Sequence, residues 1–219
     1  MKYRLVVFDL DGTLVNSLKD LAISVNFALN RAGLPTHEIE RYKTFVGNGR
    51  EKLVERAMGE AYRNAELREI VKKCFDEYYG EHCSDNTEAY PGCEKMLADL
   101  ACAGVKTAVL SNKPDEFIGK ILKRLFPSHK FDIAWGKKPG YKTKPDPQAL
   151  NEIIKTLGAE KSECLYIGDS DVDIYTAENA GVDILGVDWG FRGRAELISA
   201  GAAAVVSSAS QITEYINEN

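Results

Sequence analysis

One stretch constrains this chain more than any other: Leu5-Val6-Val7-Phe8-Asp9-Leu10-Asp11-Gly12-Thr13. Four consecutive apolar residues bounded by a turn signal read as a strand buried on both faces of a parallel sheet. Alternation along an extended chain then sends Asp9 and Asp11 to one side and returns Leu10 to the core. Gly12 permits a tight turn, and the Thr13 hydroxyl can hold one of the acids. In open α/β sheets ligands bind outside the carboxyl ends of the strands. Asp-Gly after a strand is often only a turn, but two acids and a hydroxyl closing a buried strand point to chemistry.

Beyond this strand the grammar divides in two. Residues 16–88 read as helices throughout. Ser17 is expected to cap a helix carrying Leu18, Leu21, Ala22, Val25 and Leu29, which Gly33-Leu34-Pro35 ends. A short helix is expected around Ile39, Tyr42 and Phe45, another from Arg50 to Met58, and a third through Leu67, Val71, Phe75 and Tyr78. From Pro91 onward strands alternate with helices. Strands are expected at Val105 to Leu110, Phe131 to Trp135, Cys164 to Ile167, Ile184 to Val187 and Ala203 to Val206. This alternation indicates a parallel sheet with helices on both faces.

A length argument sets the domain organisation. A βαβ unit needs roughly 30 residues, yet more than 90 separate the first strand from Val105. The surplus is the helical block, inserted just past the two-acid strand end, where it would stand over the site as a lid. The expected architecture is a Rossmann-like α/β core of residues 1–15 and 89–219 with an all-helical cap of residues 16–88.

Three strand ends carry polar groups: Asp9, Asp11 and Thr13; Ser111 and Asn112; Asp169 and Asp173. The Lys-, Gly- and Pro-rich loop from Gly136 to Pro147 adds Lys144 in Lys144-Pro145-Asp146-Pro147. Carboxylates converging on one pocket repel each other unless a divalent cation sits between them, and magnesium suits a site that keeps water and phosphate oxygens as its other ligands. Ser111 and Lys144 have the character of phosphate-binding groups, one a hydroxyl donor and one a point charge. The net charge of −5 gives no general attraction to nucleic acid or anionic membrane. No stretch reaches the length of a membrane span, and no secretory leader is recognisable. Five scattered cysteines without a Cys-x-x-Cys spacing fit reduced thiols in a cytoplasmic protein.

Asp9-Leu10-Asp11-Gly12-Thr13, Ser111-Asn112, Lys144 and Gly168-Asp169-Ser170-x-x-Asp173 together resemble the four ordered motifs of the haloacid-dehalogenase-like superfamily. The helical insert resembles its C1 cap. Phe45-Val46-Gly47-Asn48-Gly49 and Ser111-Asn112-Lys113-Pro114 resemble its phosphoglycolate phosphatase branch. The resemblance implies a cytoplasmic phosphatase acting on a small phosphate ester, monomeric or weakly dimeric. It implies Asp9 as the nucleophile that becomes an aspartyl-phosphate, and Asp11 as general acid and then base, oriented by Thr13. Ser111, Asn112 and Lys144 would hold the phosphoryl group. Mg2+ would be held by Asp9, the Asp11 carbonyl and Asp169, with Asp173 in support. An acid two residues after the nucleophile argues against dehalogenation, since a departing halide needs no proton. Gly49 and Arg50 are expected to receive a second anionic group of the substrate. A phosphosugar mutase of the β-phosphoglucomutase type and a pyrophosphatase remain open as alternatives.

Overall fold

A computed structural model describes residues 2–219. Its centre is a six-stranded parallel sheet built from β1 (Leu5–Phe8), β4 (Lys106–Pro114), β5 (Ile133–Lys137), β6 (Cys164–Gly168), β7 (Asp183–Val187) and β8 (Val205–Val206), in the order β5-β4-β1-β6-β7-β8. β1 lies between β4 and β6, paired Phe8 to Val109 and Phe8 to Ile167. All four of its residues are buried, and they split between two cores as a pleat requires. Leu5 and Val7 join the smaller core with Leu150, Ile153 and Ile154 of α6 (Gln148–Thr156) and Ala177 of α7 (Asp171–Ala180). Val6 and Phe8 join the larger one with Met96 and Leu97 of α4 (Cys93–Cys102), Ile121 of α5 (Asp115–Leu125) and Ile212 of α9 (Ala209–Glu218). The short α8 (Arg194–Ser199) buries Leu197 beside β7 and β8.

Between β1 and β4 the chain is mostly helical: α1 (Leu18–Arg31), a 3-10 turn at Ile39–Thr44, α2 (Gly49–Met58), a second 3-10 turn at Gly59–Arg63, and α3 (Ala65–His82). Leu21 and Val25 of α1, Leu53 of α2, and Val71, Phe75 and Tyr79 of α3 continue the larger core without a break. The helical segment is therefore seated on the sheet rather than hung beside it.

Two sequence expectations need correction here. Val15–Asn16 (β2) and Glu88–Ala89 (β3) form a small antiparallel pair where the chain leaves the sheet and returns, so residues 16–88 are not wholly free of strand. Two-residue strands carry too little periodicity to be read in advance. Ser17 precedes α1 but its side chain accepts from no helix N–H; its hydroxyl donates to Asp11 instead. The return is pinned by buried Asp20 of α1, whose carboxylate accepts from Asn86 N (2.9 Å), Asn86 Nδ2 (2.8 Å), Thr87 N (2.8 Å) and Thr87 Oγ1 (2.6 Å). A buried carboxylate is tolerable when so many donors satisfy it.

β4 also runs four residues past the expected Leu110. Its pairing with β5 slips between Leu110 and Pro114 before resuming at Lys137. Such an irregularity re-aims side chains, and the residues it re-aims are Ser111, Asn112 and Lys113.

Candidate active site

Backbone geometry at the end of β1 creates the first half of the site. The Leu10 carbonyl accepts from the amides of Thr13, Leu14 and Val15, which closes the turn. Gly12 adopts φ +92°, and a Cβ there would stand 2.3 Å from the Asp169 carboxylate. Only glycine permits both the turn and the close approach of β6's acid.

Asp9, Asp169 and Asp173 are all buried, and one oxygen from each lies within 4.8 Å of the others. Asp173 is drawn in at the start of α7, where it accepts from Ser170 N at 3.1 Å and Ser170 Oγ at 2.7 Å, a reciprocal helix cap. Its other oxygen takes Lys144 Nζ at 2.7 Å and Tyr166 Oη at 3.3 Å. Asp169 accepts from Thr13 Oγ1 at 3.3 Å and from the Phe191 amide at 2.8 Å. The threonine expected to orient Asp11 is thus turned toward Asp169, and Ser17 and Lys113 orient Asp11 in its place.

Lys144 is the one ammonium inside this acidic group. Its Nζ stands 2.9 Å from Asp9 Oδ1 but off the line of a hydrogen bond, so that buried oxygen has no hydrogen-bond donor among the described residues. Burial pushes the Asp9 carboxyl up to about 7, with Lys144 opposing the rise and Asp173 adding to it. Burial, then Asp173 and Asp9, push Asp169 up further. Burial disfavours the Lys144 charge as well, but Asp173 and Asp9 overcome it and hold the ammonium well above its ordinary value. Three carboxylates against one ammonium leave the buried space short of positive charge, with the Asp9 oxygen nearest Lys144 ion-paired but not regularly hydrogen-bonded. That donor set fits a divalent cation bound through oxygen.

Asp11 sits apart from this cluster. Lys113 Nζ bridges both of its oxygens, at 3.0 and 3.2 Å, and the lysine side chain is only 3% exposed. Sequence reasoning passed over Lys113, Ser17 and Tyr166. Lys113 had a readable signal, since it directly follows Ser111-Asn112 at a polar strand end. Tyr166 is embedded in an apolar strand and had none.

Asp9, Asp11, Ser111, Asn112 and Lys113 line one cavity of about 50 Å³, and Val46, Gly47, Gly49, Arg50, Leu53, Phe75 and Tyr79 close it from the helical segment. Asn112 was expected to bind phosphate, but its amide is fully engaged with protein. Its oxygen accepts from Lys144 N at 2.8 Å, and Nδ2 donates to the carbonyls of Lys144 (3.1 Å) and Gly47 (3.2 Å). The residue therefore fastens the Lys144 loop and the 46–49 loop to β4. Arg192 Nη2 adds a second tie, to the Val46 carbonyl at 2.9 Å. Gly49 has φ +82° at the start of α2, where a Cβ would lie 3.2 Å from the Asn112 carbonyl. Arg50 reaches the cavity with its guanidinium already shared between Asp76 and Glu51. Lys52 points away, to Glu55.

Comparison with known proteins gives the family of the chain. The family model described as haloacid dehalogenase-like hydrolase matches residues 6–187. A phosphoglycolate phosphatase of Yersinia pestis is 36% identical over 188 residues, covering 85% of this chain and 81% of the relative. One of Vibrio parahaemolyticus is 31% identical over 218 residues, covering 97% and 96%. The crystal structure of a predicted phosphoglycolate phosphatase from Haemophilus somnus superposes with a TM-score of 0.91 at 31% identity, covering 99% of each chain. Among the described residues no helix is long and apolar enough to cross a membrane.

Proposed function

This chain is a phosphatase of the haloacid dehalogenase-like hydrolase family, and we propose that it hydrolyses phosphoglycolate through a phosphorylated Asp9. The observation that carries the reading is the shared cavity: Asp9 and Asp11 face one small space, and the 46–50 loop closes over it. A narrow cavity closed by this loop suits a short organic group better than a sugar.

In this reading Asp9 attacks phosphorus, forming an acyl phosphate as the P–O bond to the alcohol breaks. Asp11 gives a proton to the departing alkoxide and then takes one from the water that cleaves the acyl phosphate. Ser111, whose hydroxyl proton is uncommitted, donates to a phosphoryl oxygen, and Lys144 neutralises charge beside Asp9. Asn112 contributes by holding the Lys144 backbone. Asp9, Asp169 and the Asp11 carbonyl would hold Mg2+, with Asp173 bracing the site through Lys144. The ion would supply charge neutralisation, letting an anionic nucleophile meet an anionic phosphoryl group. Residues 16–88 act as the cap, with Gly49 and Arg50 at its edge closing the site against water.

The test is phosphate release by purified protein from a panel of phosphorylated metabolites, with and without added magnesium. Preference for phosphoglycolate that disappears on chelation is expected. A preference for a phosphosugar with phosphate retained in the product would replace this reading with a mutase.

A further inference from the structure

Arg50 was the obvious cation for a substrate's second charge, yet Asp76 and Glu51 already occupy it. The other cation lining the cavity is Lys113. It is bound on one side by Asp11 and stands 4.8 Å from the centroid of the Tyr79 ring. Tyr79, from α3 of the helical segment, is 1% exposed, and the group beside its hydroxyl is Lys113, an ammonium that can donate to the phenol oxygen but cannot accept its proton. A buried hydroxyl proton without an acceptor is uncommon, because its desolvation goes uncompensated. Both groups line the same cavity as Asp9, whose wall also includes the apolar Leu21, Phe75 and Phe117.

We propose that Lys113 and Tyr79 form a second anion subsite, which receives the carboxylate of a short substrate whose phosphoryl group lies at Asp9. This rests on the phosphatase reading above and makes it specific. The ammonium supplies charge and the phenol supplies the donor that now lacks an acceptor. Lys113 comes from the sheet and Tyr79 from the helical segment, so a carboxylate held by both joins the two parts and favours the closed arrangement. Substrates lacking the second anion would leave the Tyr79 hydroxyl proton without an acceptor and Lys113 paired with Asp11 alone, a penalty that discriminates between otherwise similar ligands. Lys113 and Tyr79 are in this sense specificity-determining rather than catalytic.

The experiment is calorimetric titration, in magnesium, of phosphonoacetate and of ethylphosphonate, which has a methyl group in place of the carboxylate. Wild type should bind phosphonoacetate about 10–100-fold more tightly, the range expected for charge-assisted hydrogen bonds. K113M should abolish that ratio, and Y79F should reduce it by about 3–10-fold. Circular dichroism checks both folds, and Y79F carries the test by itself should K113M misfold. Equal affinity of wild type for the two ligands, or a ratio untouched by either substitution, overturns the subsite. Because binding is read without turnover, failure of the catalytic reading remains separate. A chain that discriminates the two ligands but releases no phosphate from any ester would keep the subsite and lose the phosphatase mechanism.

Discussion

On the sheet side of the cavity, Asp9, Asp169 and Asp173 crowd around one ammonium, and nearly every other polar atom there is fixed by a partner. On the helical side, the 46–49 loop is tied to the sheet side by two bonds to its carbonyls, from Asn112 and Arg192, and to its own helices by Val46 N to the Tyr42 carbonyl and Arg56 Nη2 to Asn48 Oδ1. The first region is tightly held yet electrostatically strained, and the second reaches the sheet side through few polar ties. The difference separates tasks. Charge that must meet a phosphoryl group is held rigidly in advance, while enclosure, which must be reversible for substrate to enter, depends on a few weak ties.

The most severe way to break the comparison is to remove a charge from the rigid side. Asp9→Asn should lower turnover by about 10⁴-fold or more, as loss of a nucleophile does, and should leave the fold intact. It should also raise the melting temperature of metal-free protein, because a like charge leaves a buried cluster. Phosphate release and thermal unfolding in chelator test both halves. Retained turnover would dispose of the covalent mechanism.

Asp11→Asn should cost about 10²–10⁴ in rate, with a smaller deficit in the first half-reaction for p-nitrophenyl phosphate, whose leaving group needs little protonation. Burst kinetics separate the half-reactions. Identical losses for good and poor leaving groups in phosphorylation itself would remove the acid role from Asp11.

How these regions looked in sequence follows the same division. The sheet side was legible because its charges sit at strand ends, where an apolar run makes an acid conspicuous. Asp9 and Asp169 were named as candidates on that ground, and Lys144 on its place in the loop before Pro-Asp-Pro; the structure brings the three together. Partners were less legible than charges. Thr13 turns to Asp169, Ser17 takes Asp11, and Asn112 spends its amide on the backbone, because hydrogen-bond choice depends on tertiary approach. The meeting of Lys113 with Tyr79 was hidden for a further reason: one sits on a β4 irregularity and the other in an ordinary amphipathic helix. Nothing short of the folded chain places them on one cavity.

Proton and metal should compete on the strained side. Burial raises Asp9 to about 7 and Asp169 above its ordinary value, so the folded metal-free protein binds protons more tightly than the unfolded chain. Stability from these groups is fully present below the ordinary carboxylate pKa and is lost as pH rises toward 7 and beyond. A divalent cation should reverse that loss. The melting-temperature gain on adding magnesium should therefore be larger at pH 8 than at pH 5, and Asp169→Ala should diminish it more than Asp173→Ala, whose oxygens already serve Lys144, Tyr166 and Ser170. A gain independent of pH would mean that the cation binds elsewhere.

The smallest expected effect lies on the helical side and sharpens the comparison most. Gly49→Ala places a methyl group 3.2 Å from the Asn112 carbonyl at φ +82°, a conformation that costs an L-residue about 1–2 kcal/mol. If that strain falls on the docked loop alone, the docked population drops by about 5–30-fold and KM for phosphoglycolate rises by a similar factor. The rate at saturation should change less, since Asp9 and Asp11 do not move with the loop. For p-nitrophenyl phosphate, which carries no second anion for the enclosing side to hold, turnover depends less on the docked loop, and KM should barely change. Steady-state kinetics on the two substrates read the difference directly. Equal increases on both would make Gly49 a packing residue, and would put the division between a rigid charged side and a reversible enclosing side in the wrong place.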